Sequence, residues 1–114
     1  MDEPTPKKRA IYLGVEHMRL LDHWCASLRS TFGRTPYLCG SVLQRADWRD
    51  VDIRIQLTNK EMHHLPLNRL DLNMMLSEWG KRVTGLPIDC QVQSADAFHE
   101  HDGEPRNPRG WIDR

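Results

Sequence analysis

The sequence of 114 residues lacks the features that mark several protein classes. Its three cysteines include no C-x-x-C pair, so a disulfide framework and a typical zinc or redox motif are both excluded. No apolar run is long enough to span a bilayer. Lysine plus arginine equals aspartate plus glutamate, at 16 each, so no overall charge attracts nucleic acid or an anionic membrane. We therefore expect a cytoplasmic protein that binds any polyanion through a local site.

Composition divides the chain into three parts. Residues 1–13 form a polar leader that contains two prolines and a short basic run. Residues 14–98 contain the periodic apolar patterns of one folded domain. Residues 99–114 are rich in charge, proline and glycine, which predicts an irregular C-terminal tail. His99 and His101 belong to this tail, and the adjacent His63 and His64 to a polar loop, so neither pair has the spacing of a zinc site.

Two segments have apolar residues at helical spacing, and each predicts an amphipathic helix. The first covers residues 14–32 and ends before Gly33. The second covers residues 66–83 and is followed by Gly85 and Pro87, which are typical of a helix end. Its apolar stripe is expected to pack in the core and consists of Leu67, Leu70, Met74, Met75, Trp79 and Val83.

Three segments have the pattern of β-strands. A short apolar run at residues 37–39 precedes Gly40 and Ser41, which predicts a buried strand that ends in a tight turn. Residues 50–57 and 88–93 alternate between polar and apolar side chains, which predicts two half-exposed strands. The fold class expected from this pattern is α+β, a small mixed β-sheet with helices packed on one face and a polar face left open.

The polar face of the two alternating strands contains three carboxylates. Asp50 and Asp52 are two residues apart, so their side chains point to the same side of one strand, and Asp89 lies in phase on the other. Carboxylates this close repel each other unless a cation lies between them. Mg²⁺ (or Mn²⁺) binds such oxygen ligands together with phosphate oxygens. The three residues are therefore the predicted metal ligands and catalytic residues, although a solvated acidic surface has the same pattern.

The turn before the second strand has residues suited to hold phosphate. Gly40 permits close approach of the backbone, and Ser41 adds a hydroxyl group. Backbone amides that open a helical turn after Ser41 would point towards an anion. Arg45 and Arg49 follow closely in the sequence and are candidate charge partners for phosphate oxygens.

These motifs resemble those of the nucleotidyltransferase superfamily, typified by DNA polymerase beta and the minimal aminoglycoside-type nucleotidyltransferases. The resemblance spans residues 37–93 and depends on Cys39-Gly40-Ser41, Asp50-Val51-Asp52-Ile53 and Ile88-Asp89-Cys90. It implies a nucleotidyltransferase-like fold in which Asp50 and Asp52 bind two metal ions, Asp89 acts on the attacking hydroxyl, and Gly40 and Ser41 hold the triphosphate. The implied reaction transfers a nucleoside monophosphate from a nucleoside triphosphate to an acceptor hydroxyl.

Two departures from the family pattern leave alternatives open. Only eight residues separate Ser41 from Asp50, slightly fewer than is usual for the family, so we expect a compact connection after the Gly-Ser pair. Little chain follows residue 93, so no second domain is expected to hold the acceptor. Minimal members of the family often complete their site with a homodimer or a partner protein. The acceptor can thus be a protein, a nucleic acid or a small molecule. The alternatives are a weakly active or inactive antitoxin-like protein that binds a small helical partner, and a metal-dependent phosphodiesterase or nuclease.

Overall fold

The computed structural model describes residues 11–95 and 106–110, and within these ranges the chain forms three α-helices and one four-stranded sheet. The elements are α1 (Val15–Phe32), β1 (Tyr37–Cys39), a 3₁₀ turn (Ser41–Leu43), β2 (Val51–Leu57), α2 (Asn59–His63), α3 (Arg69–Thr84), β3 (Ile88–Ser94) and β4 (Arg106–Pro108). The strand order is β3-β2-β1-β4. β2 and β3 are parallel, whereas β1 is antiparallel to both β2 and β4. The predicted α+β class with a small mixed sheet is confirmed.

The helix ends follow from local sequence. α1 and α3 end at Gly33 and Gly85, which both have the left-handed conformation that glycine adopts without steric cost. Asn68 begins α3 by accepting a hydrogen bond from the backbone N–H of Asp71 at 2.9 Å. The segment with His63, which was predicted to be a loop, instead forms the short helix α2 because Thr58 and Glu61 make a capping box.

One face of the sheet forms the hydrophobic core. Every second residue of β2, and of β3 as far as Val92, is buried, and these side chains pack with Leu21, Trp24 and Leu28 of α1. The polar residues between them are partly exposed on the other face. The alternation therefore predicted both strands and their exposed side correctly, because β-strand side chains point to opposite faces in turn.

The predicted apolar stripe of α3 is wrong. α3 buries Leu72, Leu76, Gly80 and Thr84. Leu70, Met74 and Met75 are 72%, 63% and 59% exposed, and Leu67, Trp79 and Val83 are 40%, 38% and 37% exposed. Gly80 is the reason for the different face, because a Cβ atom there would lie 2.8 Å from the ring of Trp24. The buried face thus combines Leu72 and Leu76 with the small residues Gly80 and Thr84, and a search for large apolar side chains does not detect the last two.

Part of the predicted irregular tail is a strand. β4 pairs with β1, and Asn107 is the register partner of Leu38. The next residues continue the contact, since the N–H of Arg109 donates to the carbonyl of Pro36 at 2.9 Å. Gly110 has φ +88° and lies against the backbone of Cys25. The proline and charge content predicted no regular element, but the exposed edge of β1 provides partners for a short strand. His99 and His101 lie outside the described residues.

Residues at the end of the predicted leader contact the domain. Ile11 and Leu13 are partly buried against the core, and the N–H of Tyr12 donates to the carbonyl of Val42 at 3.0 Å. In the described part of the chain, no helix has the length and apolar character needed to cross a membrane.

Candidate metal and nucleotide site

The register of β2 and β3 determines where the carboxylates lie. Asp52 and Asp89 are register partners in the parallel pair, so their side chains lie side by side on the open face. Asp50 precedes β2 and is exposed. The structure therefore brings two of the predicted ligands together and leaves the third at the end of the same strand. Their binding of metal stays a prediction.

Gly40 lies directly beside Asp52. In the antiparallel pair of β1 and β2, Cys39 is the register partner of Asp52, and Gly40 follows with φ +81° and ψ −156°. This conformation is accessible essentially to glycine alone. A side chain at this position would also collide with Oδ2 of Asp52. The Gly-Ser turn and the carboxylate therefore form one site, in which the glycine leaves room for the carboxylate.

The backbone after Gly40 forms the 3₁₀ turn. The N–H of Leu43 donates to the carbonyl of Gly40 at 3.1 Å, and the N–H of Gln44 donates to that of Ser41 at 2.9 Å. Ser41 is partly exposed, whereas Val42 and Leu43 are buried and anchor the turn in the core. The predicted compact connection between Ser41 and Asp50 is thus present.

The two arginines predicted as phosphate ligands do not contact the carboxylates in this structure. Arg45 pairs through Nε with Oδ1 of Asp47 at 3.3 Å, and both side chains are largely exposed. Arg49 is also exposed, close to Asp50 in the sequence. Their proposed contacts with phosphate stay predictions.

Arg54 is the cation that the structure places among the carboxylates, and sequence reasoning missed it. Its Nη2 atom lies 3.6 Å from Oδ1 of Asp52 and 3.4 Å from Oδ2 of Asp89. Only 17% of the side chain is exposed. The strand periodicity would have indicated this position, because Arg54 is two residues after Asp52 and therefore lies on the same face of β2.

The environment of Asp52 favours its neutral form despite this arginine. Burial is the largest cause of the shift, and the nearby carboxylates of Asp89 and Asp50 act in the same direction. Arg54 opposes them, and the net result is that the pKa of Asp52 rises from 3.8 to about 6. A strongly perturbed carboxyl group next to a glycine turn is typical of a functional site.

The donor chemistry of this site fits a divalent cation. Carboxylate oxygens are the ligands that Mg²⁺ and Mn²⁺ prefer. A cation would oppose the burial that is the main cause of the raised pKa of Asp52, and also the repulsion by Asp89 and Asp50. Within the described ranges, however, no three acidic, histidine or cysteine side chains are already gathered around one metal position. A site with three carboxylates therefore requires the exposed Asp50 to turn towards Asp52 and Asp89.

An open groove of about 680 Å³ begins at Asp50 and Asp89 and runs between α3 and the edge of β3. Two side chains of α3 form hydrogen bonds with this edge. Ser77 Oγ accepts from the N–H of Cys90, and Asn73 Oδ1 accepts from the N–H of Val92, both at 2.8 Å. The remaining surface of the groove is formed by Arg69, Leu70, Met74, Glu78, Lys81, Pro87, Ile88, Gln91 and Gln93. Asp50 and Asp89 are therefore accessible from a space large enough for part of a second molecule, whereas Asp52 does not line this groove.

Comparison of the chain with protein-family models, with curated proteins and with solved structures gave no match.

Proposed function

We propose that this protein is a metal-dependent nucleotidyltransferase. The observation that carries the proposal is the position of Asp52, which lies opposite Asp89 on the parallel strand and against Gly40 at the start of the Gly-Ser turn. Carboxylates beside a turn of this kind can bind a metal and a triphosphate at one place. The resemblance to the nucleotidyltransferase motif depends on the same residues.

In this proposal Asp50, Asp52 and Asp89 hold Mg²⁺ or Mn²⁺, which supplies positive charge to the phosphate oxygens. Gly40 leaves room for the carboxylate of Asp52 beside the turn, and the hydroxyl of Ser41 donates a hydrogen bond to a phosphate oxygen. Arg45 and Arg49 are exposed near the turn and neutralise the rest of the triphosphate.

Asp89 orients the acceptor hydroxyl and accepts its proton. Its side chain is 42% exposed and lies where the groove meets the open face, so an acceptor in the groove can reach it. The acceptor oxygen forms a bond to the α-phosphorus, and the bond from that phosphorus to the bridging oxygen breaks. Pyrophosphate leaves with the electron pair of the broken bond. The acceptor belongs to one of three classes, namely protein, nucleic acid or small molecule.

A second candidate function is partner binding, in the manner of an antitoxin-like protein. The exposed apolar side chains of α3 favour it, because Leu70, Met74 and Met75 are each more than half exposed. Large apolar side chains grouped on one helix are typical of surfaces that bind other proteins. This function and nucleotide transfer are compatible if the partner is the acceptor.

A thermal-shift panel tests the proposal. The protein is heated with each of the four ribonucleoside triphosphates, with and without Mg²⁺ or Mn²⁺. We expect stabilisation that requires both metal and triphosphate, of about 2.7 kcal/mol when the ligand is at a hundred times its dissociation constant. Asp52→Asn should abolish the shift, and Glu61→Gln, a matched change at an acidic residue of α2, should retain it. The proposal is wrong if no triphosphate stabilises the protein, or if Asp52→Asn responds like the wild type.

A further inference from the structure

The open face of the sheet continues beyond the carboxylates. Strand register places Gln91, Arg54 and Tyr37 side by side on β3, β2 and β1. This row lies one step further along the strands than the row of Asp89 and Asp52, because side chains two residues apart share a face. Nη1 of Arg54 donates to the carbonyl oxygen of Asp89 at 2.8 Å, and Nη2 faces both carboxylates. The charge of this arginine is therefore directed back towards the carboxylates.

A pocket of about 340 Å³ lies at the far end of this face. Tyr37 and Gln56 line it, and Gln56 follows Arg54 by two residues on the same side of β2. Arg34 also lines the pocket, but its guanidinium pairs with Glu61 at 2.6 Å. The volume is typical of a small-molecule site. An aromatic ring, a side-chain amide and a neutralised arginine suit an uncharged group that is flat and has polar edges.

The pocket lies at the distance from the carboxylates that a nucleotide spans. Asp52 and Gln56 are four residues apart on β2, which corresponds to about 13 Å at the rise of a β-strand. Tyr37 and the Gly-Ser turn are at opposite ends of β1. A nucleoside triphosphate in extended form, with its α-phosphate at Asp52, can therefore reach the pocket with its base.

The geometry of phosphoryl transfer favours this direction for the nucleoside. The attacking and leaving oxygens lie on opposite sides of the phosphorus atom. In the proposed function the acceptor comes from the groove beside Asp89 and pyrophosphate leaves at the Gly-Ser turn, so the nucleoside takes the remaining direction along the strands. Tyr37 and Gln56 line the pocket but not the groove, whereas Asp89 lines the groove but not the pocket. The nucleoside and the acceptor therefore have separate spaces.

We propose that the pocket at Tyr37 and Gln56 binds the base of the nucleoside triphosphate. The ring of Tyr37 stacks on the base, which every base allows because each has a π-face. The amide of Gln56 pairs its donor and its acceptor with the polar edge of the base. Tyr37 thus supplies affinity for all four nucleotides, and Gln56 supplies the preference among them. This inference rests on the proposed function, because it assigns specificity residues to the same site.

Isothermal titration calorimetry with two probes tests the inference on the full chain in the presence of Mn²⁺. One probe is the nucleoside triphosphate that gives the largest shift in the thermal-shift panel. The other is inorganic tripolyphosphate, which has the chain of three phosphates but no nucleoside. We expect the wild type to bind the nucleoside triphosphate at least about tenfold more tightly than tripolyphosphate, because stacking on an aromatic side chain contributes roughly this factor.

Tyr37→Leu should lower the affinity for the nucleoside triphosphate about tenfold and leave the affinity for tripolyphosphate unchanged. Tyr37→Phe is the matched control, since it keeps the ring, and it should retain the wild-type affinity for both probes. Retained binding of tripolyphosphate establishes that each variant is folded with its phosphate site intact.

Gln56→Leu should reduce the ratio of affinities between the best and the weakest of the four ribonucleoside triphosphates by about fivefold, the typical effect of one lost hydrogen bond. Gln93→Leu is the matched control for this ratio. Gln93 is the register partner of Gln56 on β3 and does not line the pocket, so the ratio should remain that of the wild type.

A wild type that binds the nucleoside triphosphate no more tightly than tripolyphosphate would overturn the inference and leave the proposed phosphate site intact, and this comparison needs no variant. Full nucleotide affinity in Tyr37→Leu, or an unchanged ratio in Gln56→Leu, would overturn it as well. If the wild type binds neither probe in the presence of Mn²⁺, the proposed function fails and the inference fails with it.

Discussion

Two clusters in this protein each place an arginine next to a carboxylate, and they differ in whether the ionised form of the carboxylate is stabilised. At the start of α2, Arg34 forms two hydrogen bonds with Glu61, and the backbone N–H of Thr58 donates a third at 3.1 Å. These hydrogen bonds lower the pKa of Glu61 from 4.5 to about 2. The bond from Arg34 has the largest effect, and the bond from the backbone of Thr58 has the next largest. This carboxylate is therefore stabilised in its ionised form.

The second cluster, on the open face of the sheet, gives the opposite result. Asp52 also has an arginine nearby, but burial and the carboxylates of Asp89 and Asp50 outweigh Arg54 and raise the pKa of Asp52 to about 6. An arginine next to a carboxylate thus does not by itself decide the charge state, because desolvation and like charges compete with it. The α2 cluster stabilises a helix end, whereas the sheet cluster retains unbalanced negative charge that a metal ion can neutralise.

The largest expected difference between the clusters is in ligand binding. Asp52→Asn removes a proposed metal ligand, so the affinity for the complex of Mn²⁺ and triphosphate should fall more than about a hundredfold. Loss of a residue that only hydrogen-bonds to a metal ligand lowers affinity by up to about a hundredfold, and loss of the ligand itself should cost more. Glu61→Gln should change this affinity less than twofold. Isothermal titration calorimetry measures both. Equal effects of the two substitutions would show that the clusters do not differ in function.

A second comparison concerns the glycine near each cluster. Gly40→Ala should destabilise the protein by roughly 2–4 kcal/mol, because φ is unfavourable and the new methyl group collides with Asp52. Gly33→Ala, beside Arg34, should cost about 1 kcal/mol, because its φ is +66° but no atom lies within 4 Å of the new Cβ. Urea denaturation measures both values. A smaller cost at Gly40 would mean that Asp52 can move away from the turn.

The third expected difference is the dependence of stability on pH without metal. Asp52 has a higher pKa in the folded than in the unfolded chain, so its contribution to the free energy of unfolding falls as the pH rises from about 4 to about 6. Glu61 has a lower folded pKa, so its contribution is present above about pH 4.5 and is lost as the pH falls towards 2.

Urea denaturation in EDTA at a series of pH values separates the two contributions. Asp52→Asn should be more stable relative to the wild type at pH 7 than at pH 4. Glu61→Gln should be less stable relative to the wild type at pH 7 than at pH 3. An Asp52→Asn variant whose stability differs from the wild type by the same amount at every pH would show that Asp52 has no raised pKa.

The elements that sequence predicted well are those whose pattern depends on the chain's own geometry. Alternation in residues 50–57 and 88–93 predicted β2, β3 and their polar face, because the pleat places successive side chains on opposite sides. The same rule grouped Asp52 with Asp89. The helix ends at Gly33 and Gly85 were also predicted from neighbouring residues alone, since glycine adopts the left-handed conformation with little strain.

The elements that sequence missed depend on contacts between distant segments. The buried face of α3 was misassigned because the fit of Trp24 against Gly80 comes from packing between two helices. β4 was missed because residues 106–108 become a strand only beside the edge of β1. Arg54 was treated as one more polar residue, since its ion pairs require β3 to lie next to β2.

The sequence by itself determined the fold class, the two alternating strands and the three carboxylates that we propose as metal ligands, since periodicity and residue chemistry are properties of the chain. Only the tertiary structure decided that Asp52 lies against Gly40, that Arg54 reaches both carboxylates and that the groove opens beside Asp89. The physical reason is that charge balance and burial depend on distances in space. Strand register and packing determine those distances between residues far apart in the sequence.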